Sequence, residues 1–237
     1  MLQNRPELPL RRRSFLSRFG AGLTALGATF GAGASTAAAQ SSAEGRWQPS
    51  RHATDDWFDQ VPGKHRFFFD TTSPGAIAQA IAFATNYFTA NKSGYGLDDA
   101  DLAVVICVRH QSTAFAFNDA MWAKYGAPLA ERANFTDPKT KQPPTINVLN
   151  STAYAAEGLA NRGITLDALT KRGVHVAVCG LSTRANATFI AQKTGAKVDD
   201  IFAELTSHLI GNAHVVPAGI VAVNRAQEHG YSLAYVA

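Results

Sequence analysis

The segment Arg172-Gly173-Val174-His175-Val176-Ala177-Val178-Cys179-Gly180-Leu181-Ser182-Thr183 has the pattern of one α/β unit. A short apolar run bounded by turn residues is what a strand buried on both faces of a parallel sheet requires. The run ends on Cys179, Gly180 lets the backbone turn sharply, and Ser182 or Thr183 is placed to cap a helix over 183–193. Open α/β sheets bind ligands beyond the carboxyl ends of their strands, which puts Cys179 at the reactive edge. A thiol facing a helix N-terminus is shifted toward the thiolate. The competing reading is a small apolar filler, because free cysteines are among the most buried residue types.

The same alternation extends in both directions. His65-Arg66-Phe67-Phe68-Phe69-Asp70 reads as the first strand, and Thr71-Thr72-Ser73-Pro74 opens a helix with a serine cap and a proline in its first turn. Ile77, Ala80, Ile81, Ala84 and Phe88 then keep helical spacing until 91–96 ends it. Residues 102–108 form an apolar second strand that ends in Arg109-His110-Gln111-Ser112, followed by a helix through Phe115, Ala116, Met121, Trp122 and Tyr125. Residues 126–150 contain Pro128 and Asp137-Pro138-Lys139-Thr140-Lys141-Gln142-Pro143-Pro144 and read as a polar, proline-rich insertion. Loops of that length serve as lids, binding loops or subunit contacts, or are plain surface excursions. Helical turns at 154–160 and 166–171 lead to the Cys179 strand. Beyond it come helices over 183–193 and 198–209, a strand over 214–219, a helix over 220–229 and a last strand over 231–236. This rhythm predicts one domain, a three-layer α/β/α sandwich on a mostly parallel sheet.

The N-terminus breaks the rhythm. Arg11-Arg12-Arg13-Ser14-Phe15-Leu16 precedes a mild Ala/Gly-rich apolar run and Ala37-Ala38-Ala39, so residues 1–39 read as a twin-arginine (Tat) export signal and the mature protein as periplasmic. Residues 40–63 read as an arm or linker held down by Trp57 and Phe58. The chain has 22 Lys+Arg against 18 Asp+Glu, but residues 1–39 hold five Arg and one Glu, leaving 17 of each sign. The basic balance therefore belongs to the signal, and no nucleic-acid partner is expected. No later stretch is apolar enough for a bilayer, so no membrane association is expected after signal cleavage.

If the strands are parallel, Arg109, His110 and Asn118 share the carboxyl rim with Cys179. A strand-end histidine serves as proton carrier or positive partner to a thiolate, or simply closes a loop. Cys107, inside its strand, reads as core. The two cysteines lack CxxC and CxxCH spacing, which excludes thioredoxin-like and c-haem motifs. His175 and Cys179 share a strand face, but two ligands fall short of the four that structural zinc takes, and no metal is expected. GxGxxG, GxxxxGK[ST] and GxSxG are all missing, and no cofactor is expected.

The ordered set 172–179, then Val215-Val216-Pro217-Ala218-Gly219-Ile220-Val221, then Ala226-Gln227-Glu228-His229-Gly230-Tyr231-Ser232 resembles the DsrE/DsrF-like family over residues 64–237. The resemblance implies a five-stranded parallel sheet, homo-oligomers and the handling of sulfane sulfur. In relay members one cysteine at the active rim carries the persulfide, and Cys179 alone matches that position. Relay members are cytosolic and lack the 126–150 insertion, so their partners do not carry over to an exported chain. The expectation is a sulfur-handling protein with Cys179 as persulfide carrier or sulfurtransferase thiol, supported by Arg109, His110, Asn118, Ser182 and Thr183. It would exchange sulfur with a donor or acceptor protein. The alternative is a non-catalytic ligand-binding or oligomerisation module of the same fold.

Overall fold

The computed structural model describes residues 48–155 and 158–237. The proposed signal, 1–39, and residues 40–47 of the arm lie outside the described residues. Five strands, β1 (His65–Thr71), β2 (Leu102–Val108), β3 (His175–Cys179), β4 (Ala213–Val216) and β5 (Ser232–Val236), form one parallel sheet in the order β4-β3-β2-β1-β5. The helices are α1 (Trp57–Gln60), α2 (Pro74–Tyr95), α3 (Asp119–Ala133), α4 (Leu166–Lys171), α5 (Gly180–Thr194), α6 (Val198–Ser207) and α7 (Gly219–Glu228).

The chain steps from β1 to β4 in one direction, with α2 through α6 packed on the face carrying Val104, Ile106, Val176 and Val178. It then returns past β1 to β5, and α7 packs on the opposite face with Ala103, Val105, Cys107 and Ala177. Right-handed crossovers force this change of face when the direction reverses. The result is an α/β three-layer domain. The fully buried run of β2 is the reason its sequence shows no polar alternation.

Local signals explain most boundaries. Ser73 accepts the Ala76 N–H at 3.2 Å with Pro74 at the first turn of α2, and Gly96 ends that helix in the left-handed region at φ 69°. Three expectations need correction. The helix after β2 is split into a 3-10 stretch, His110–Ala116, and α3, which is capped by Asn118. The insertion is also shorter than 126–150, because α3 runs on to Ala133 through a kink at Tyr125 (φ −124°, ψ 20°), with Pro128 on its far side. Finally, 217–218 is a turn rather than strand, and Gly219 opens α7.

The remaining loop is tied to the core. A Cβ on Gly126 would lie 2.0 Å from the Pro144 carbonyl oxygen, so the loop packs directly on the α3 backbone. Asn147 donates to the carbonyls of Phe115 (2.8 Å) and Phe117 (3.0 Å). Buried Asp137 accepts the Tyr154 hydroxyl at 2.6 Å and the N–H groups of Lys139 and Thr140. Burial by itself would raise the Asp137 carboxyl, but the Tyr154 hydroxyl and these N–H groups outweigh it and hold it below 3.8. Its stabilisation is therefore present above the unfolded value and is lost as pH falls through the lower folded one. Asp137→Ala is expected to cost about 3 kcal/mol at neutral pH in urea unfolding, because the buried Tyr154 hydroxyl and two partly buried N–H groups lose a charged acceptor. The gap from wild type should narrow below pH 3.8, the ordinary value of that carboxyl. A constant gap across that range would remove the carboxylate from the explanation.

The described part of the arm, residues 48–63, is an integral layer of the fold. Phe58 is fully buried and Val61 nearly so, against Phe68, Val105 and Tyr231. The Phe58 carbonyl accepts Arg66 Nη1 at 2.7 Å and the Tyr231 hydroxyl at 2.8 Å. Burial pushes Tyr231 up to about 12, so its hydroxyl remains a donor across the ordinary pH range. Asp59 lies 2.9 Å from Nδ1 of buried His229, and the histidine holds the Asp59 carboxyl below its usual range.

Candidate functional site

Cys179 ends β3 with extended backbone (φ −64°, ψ 109°) and is itself the cap of α5, which starts at Gly180. This corrects the expected capping role of Ser182 and Thr183. Cys179 Sγ accepts the Ser182 N–H at 3.4 Å, and the Thr183 hydroxyl donates to the Cys179 carbonyl at 3.0 Å. Gly180 is needed here because a Cβ would lie 2.9 Å from the Val216 carbonyl oxygen. The first turn of α5 is thus drawn against the end of β4, with Cys179 buried beneath it.

Parallel pairing brings the end of β2 to the same place. Arg109 keeps extended backbone (φ −136°, ψ 163°), so its side chain shares the sheet face of Cys107. Extending the Val108↔Val178 register by one residue sets Arg109 opposite Cys179. Just beyond, the His110 N–H donates to Ser182 Oγ at 2.9 Å in the first turn of α5. His110 is exposed and held at φ 58°, a conformation that few non-glycine residues adopt.

The Arg109 guanidinium turns to Asp70, the residue opposite Cys107 at the end of β1. Nε and Nη2 each lie 2.8 Å from a different Asp70 oxygen, a two-pronged pair whose carboxylate side chain is only 5% exposed. That hydrogen bonding raises Arg109 further above its ordinary value. On its other side Arg109 lies against Gly219, where a Cβ would stand 2.6 Å from Arg109 Cβ. Ser112, fully buried, accepts the Arg109 N–H at 3.0 Å and locks the turn.

Asn118 is not held by any of these groups. Its side chain caps α3 through the Met121 N–H at 3.4 Å, and its own N–H donates to the His208 carbonyl. His175 also turns elsewhere: its Nδ1 lies 2.8 Å from His214 Nε2, with the rings 12° apart. Trp57 covers His214 at 4.2 Å and 6°. Burial lowers both histidines, and in His214 the His175 charge adds to it. Among the described residues no group of three or more His, Cys, Asp or Glu is placed to hold a metal.

Cys107 is the second thiol on this face. It is wholly buried, and its Sγ lies 3.8 Å from the Gly219 carbonyl. Burial pushes its thiol well above its ordinary value, and the charges of Asp70 and Cys179 add to that against the opposing Arg109. Cys107 stands opposite Ala177, two residues before Cys179. Strand spacing and rise then separate the two cysteine Cα atoms by roughly 8 Å. That exceeds the roughly 7 Å a disulfide spans, and both cysteines are free.

Sequence reasoning missed Asp70 and Gly219. Asp70 carried a signal, an acidic residue ending an apolar strand, but its partner was set only by the register. A cleft of about 400 Å³ between α3 and the 134–143 loop, lined by Ala130, Glu131, Phe135 and Gln142, lies among other elements. No described helix is long and apolar enough to cross a membrane.

No protein-family model matches this chain. No curated protein matches it either. Among solved structures, that of the protein of unknown function MTH1491 from Methanobacterium thermoautotrophicum aligns with 73% of this chain and 99% of its own, at 13% identity and a TM-score of 0.36.

Proposed function

We propose that this is an exported, DsrE-like sulfur-handling protein in which Cys179 carries sulfane sulfur. The observation that carries the reading is the contrast between two thiols on one sheet face. Both are buried, but Cys179 caps a helix at the strand-end rim and accepts a backbone N–H, whereas Cys107 lies inside its strand and burial raises its thiol well above the ordinary value. In the proposed step the Cys179 thiolate attacks the outer sulfur of a persulfide donor. A new Sγ–S bond forms as the donor S–S bond breaks, the donor leaves as its thiolate, and no net oxidation occurs. The reverse step delivers the sulfur to an acceptor thiol.

The test is incubation with a small-molecule persulfide followed by peptide mass mapping. One added sulfur on the Cys179 peptide and none on the Cys107 peptide is the expected result. No addition, or addition at Cys107, overturns the assignment.

Periplasmic delivery is part of the same proposal and rests on the twin arginines. Arg12→Lys with Arg13→Lys should leave the precursor in the cytoplasm, and normal export of that variant removes the Tat reading.

A second reading, a non-catalytic assembly module, draws on apolar side chains exposed near the same strand ends. Leu181 is 68% exposed, Ile220 61% and Tyr235 58%. Single apolar side chains at a surface are ordinary, and a group of them marks an interaction site. Its signature is a homo-oligomer that forms equally with or without a thiol at position 179.

A further inference from the structure

We propose that Asp70 is a positioning residue for the rim thiol: by gripping the Arg109 guanidinium it withholds that positive charge from Cys179 and restrains its reactivity. The inference rests on the reading of Cys179 as the working thiol and adds how that thiol is regulated.

Geometry carries it. Arg109 shares a sheet face with Cys179 and stands opposite it in the extended register. Both oxygens of Asp70 are occupied by Arg109. The carboxylate is almost without solvent, so water does little to screen it. Gly219 backs the arginine stem on its other side, where a Cβ would stand 2.6 Å from Arg109 Cβ and 2.8 Å from its Cδ, so the stem that carries the guanidinium to Asp70 is packed against the start of α7. The neighbouring thiol reports the balance of the pair: at Cys107 the Asp70 charge, which disfavours thiolate, outweighs the Arg109 charge, which favours it.

Few other charges face this point. β1 offers Asp70, β2 offers Cys107 and Arg109, the 3-10 stretch offers His110, and β5 offers Tyr235, whose hydroxyl lies 3.1 Å from that of Thr72. The first turns of α5 (Gly180, Leu181, Ser182, Thr183) and α7 (Gly219, Ile220, Val221, Ala222) carry no charged side chain, nor does the end of β4. Among these elements the Asp70–Arg109 pair is the ion pair at this rim. A restrained thiol suits a carrier, because thiolate character and exposure are what expose cysteines to oxidation.

The test is the rate of iodoacetamide alkylation at Cys179, mapped by peptide mass across the thiol pH range. Asp70→Asn keeps the shape and an acceptor oxygen but removes the charge. It should alkylate about tenfold faster at neutral pH, with the pH–rate midpoint lowered by about one unit. Arg109→Gln should move the other way and be slower than wild type, which keeps the proposal testable if either variant folds poorly. The double variant Asp70→Asn/Arg109→Gln should return toward the wild-type profile, which a purely structural role for Asp70 does not predict. An Asp70→Asn rate equal to or below wild type, or a faster Arg109→Gln, overturns the proposal. Failure of wild-type Cys179 to take up persulfide, with the Asp70→Asn shift intact, instead sinks the carrier reading and leaves this coupling standing.

Discussion

Cys179→Ser is expected to lose sulfur loading entirely while its unfolding free energy stays within about 1 kcal/mol of wild type. Serine is close to cysteine in size, and its oxygen can accept the Ser182 N–H that Cys179 Sγ now accepts at 3.4 Å. The cap of α5 is thus preserved, since serine is a favoured N-cap residue. The Thr183 hydroxyl bonds to the residue 179 carbonyl, which the substitution does not touch. Chemistry and fold therefore separate at this position. Peptide mass mapping reads the first and urea unfolding the second. Residual loading in the variant would move the reaction to Cys107. Loss of the fold would instead make Cys179 a structural residue and favour the assembly reading.

Phe58→Ala should have the largest effect on stability, about 3–5 kcal/mol, the range for deleting a fully buried aromatic side chain. Phe58 is completely enclosed and lies 6.3 Å from Phe68, 5.6 Å from Tyr231 and 5.4 Å from His229, ring centre to ring centre. Its face of the sheet is covered by α7 and by this short arm, so few other side chains are available to collapse into the vacated space. The carbonyl of residue 58 still meets Arg66 and Tyr231 in the variant, so the arm stays tethered and the cavity stays open. Phe58→Leu, which refills most of that volume, should recover more than half of the loss. A urea midpoint shift worth under about 1 kcal/mol for Phe58→Ala would show that the arm is dispensable.

The two expectations have different standing in the sequence. Cys179 was legible because a strand end is a local event: an apolar run, a glycine turn and a helix start lie within a dozen residues. The arm was read as a surface segment anchored by Trp57 and Phe58, with no sign that it forms part of a sheet-covering layer. Its partners Phe68, Arg66, His214 and Tyr231 come from two different strands and the turn before β5. No periodicity within residues 48–63 encodes such contacts. The insertion shows the same limit. Pro128 reads locally as a helix end, yet α3 continues past it through a kink at Tyr125, and Gly126 packs against the carbonyl of Pro144, a contact across the loop.

What the sequence determined by itself is the alternation of strands and helices, and with it the α/β class and the parallel sheet, because burial on both faces writes continuous apolar runs. It also determined that Cys179 ends a strand and that Arg109 and His110 directly follow one. The tertiary structure alone decided the strand order β4-β3-β2-β1-β5 and the register that sets Asp70 beside Cys107. It also decided that Arg109 turns to a buried carboxylate while Asn118 caps a helix elsewhere. The physical reason is range. Propensities, caps and turns act over a few residues, whereas the charge around a thiol depends on which strand lies about 4.8 Å away, and that neighbour is chosen by how the whole chain packs.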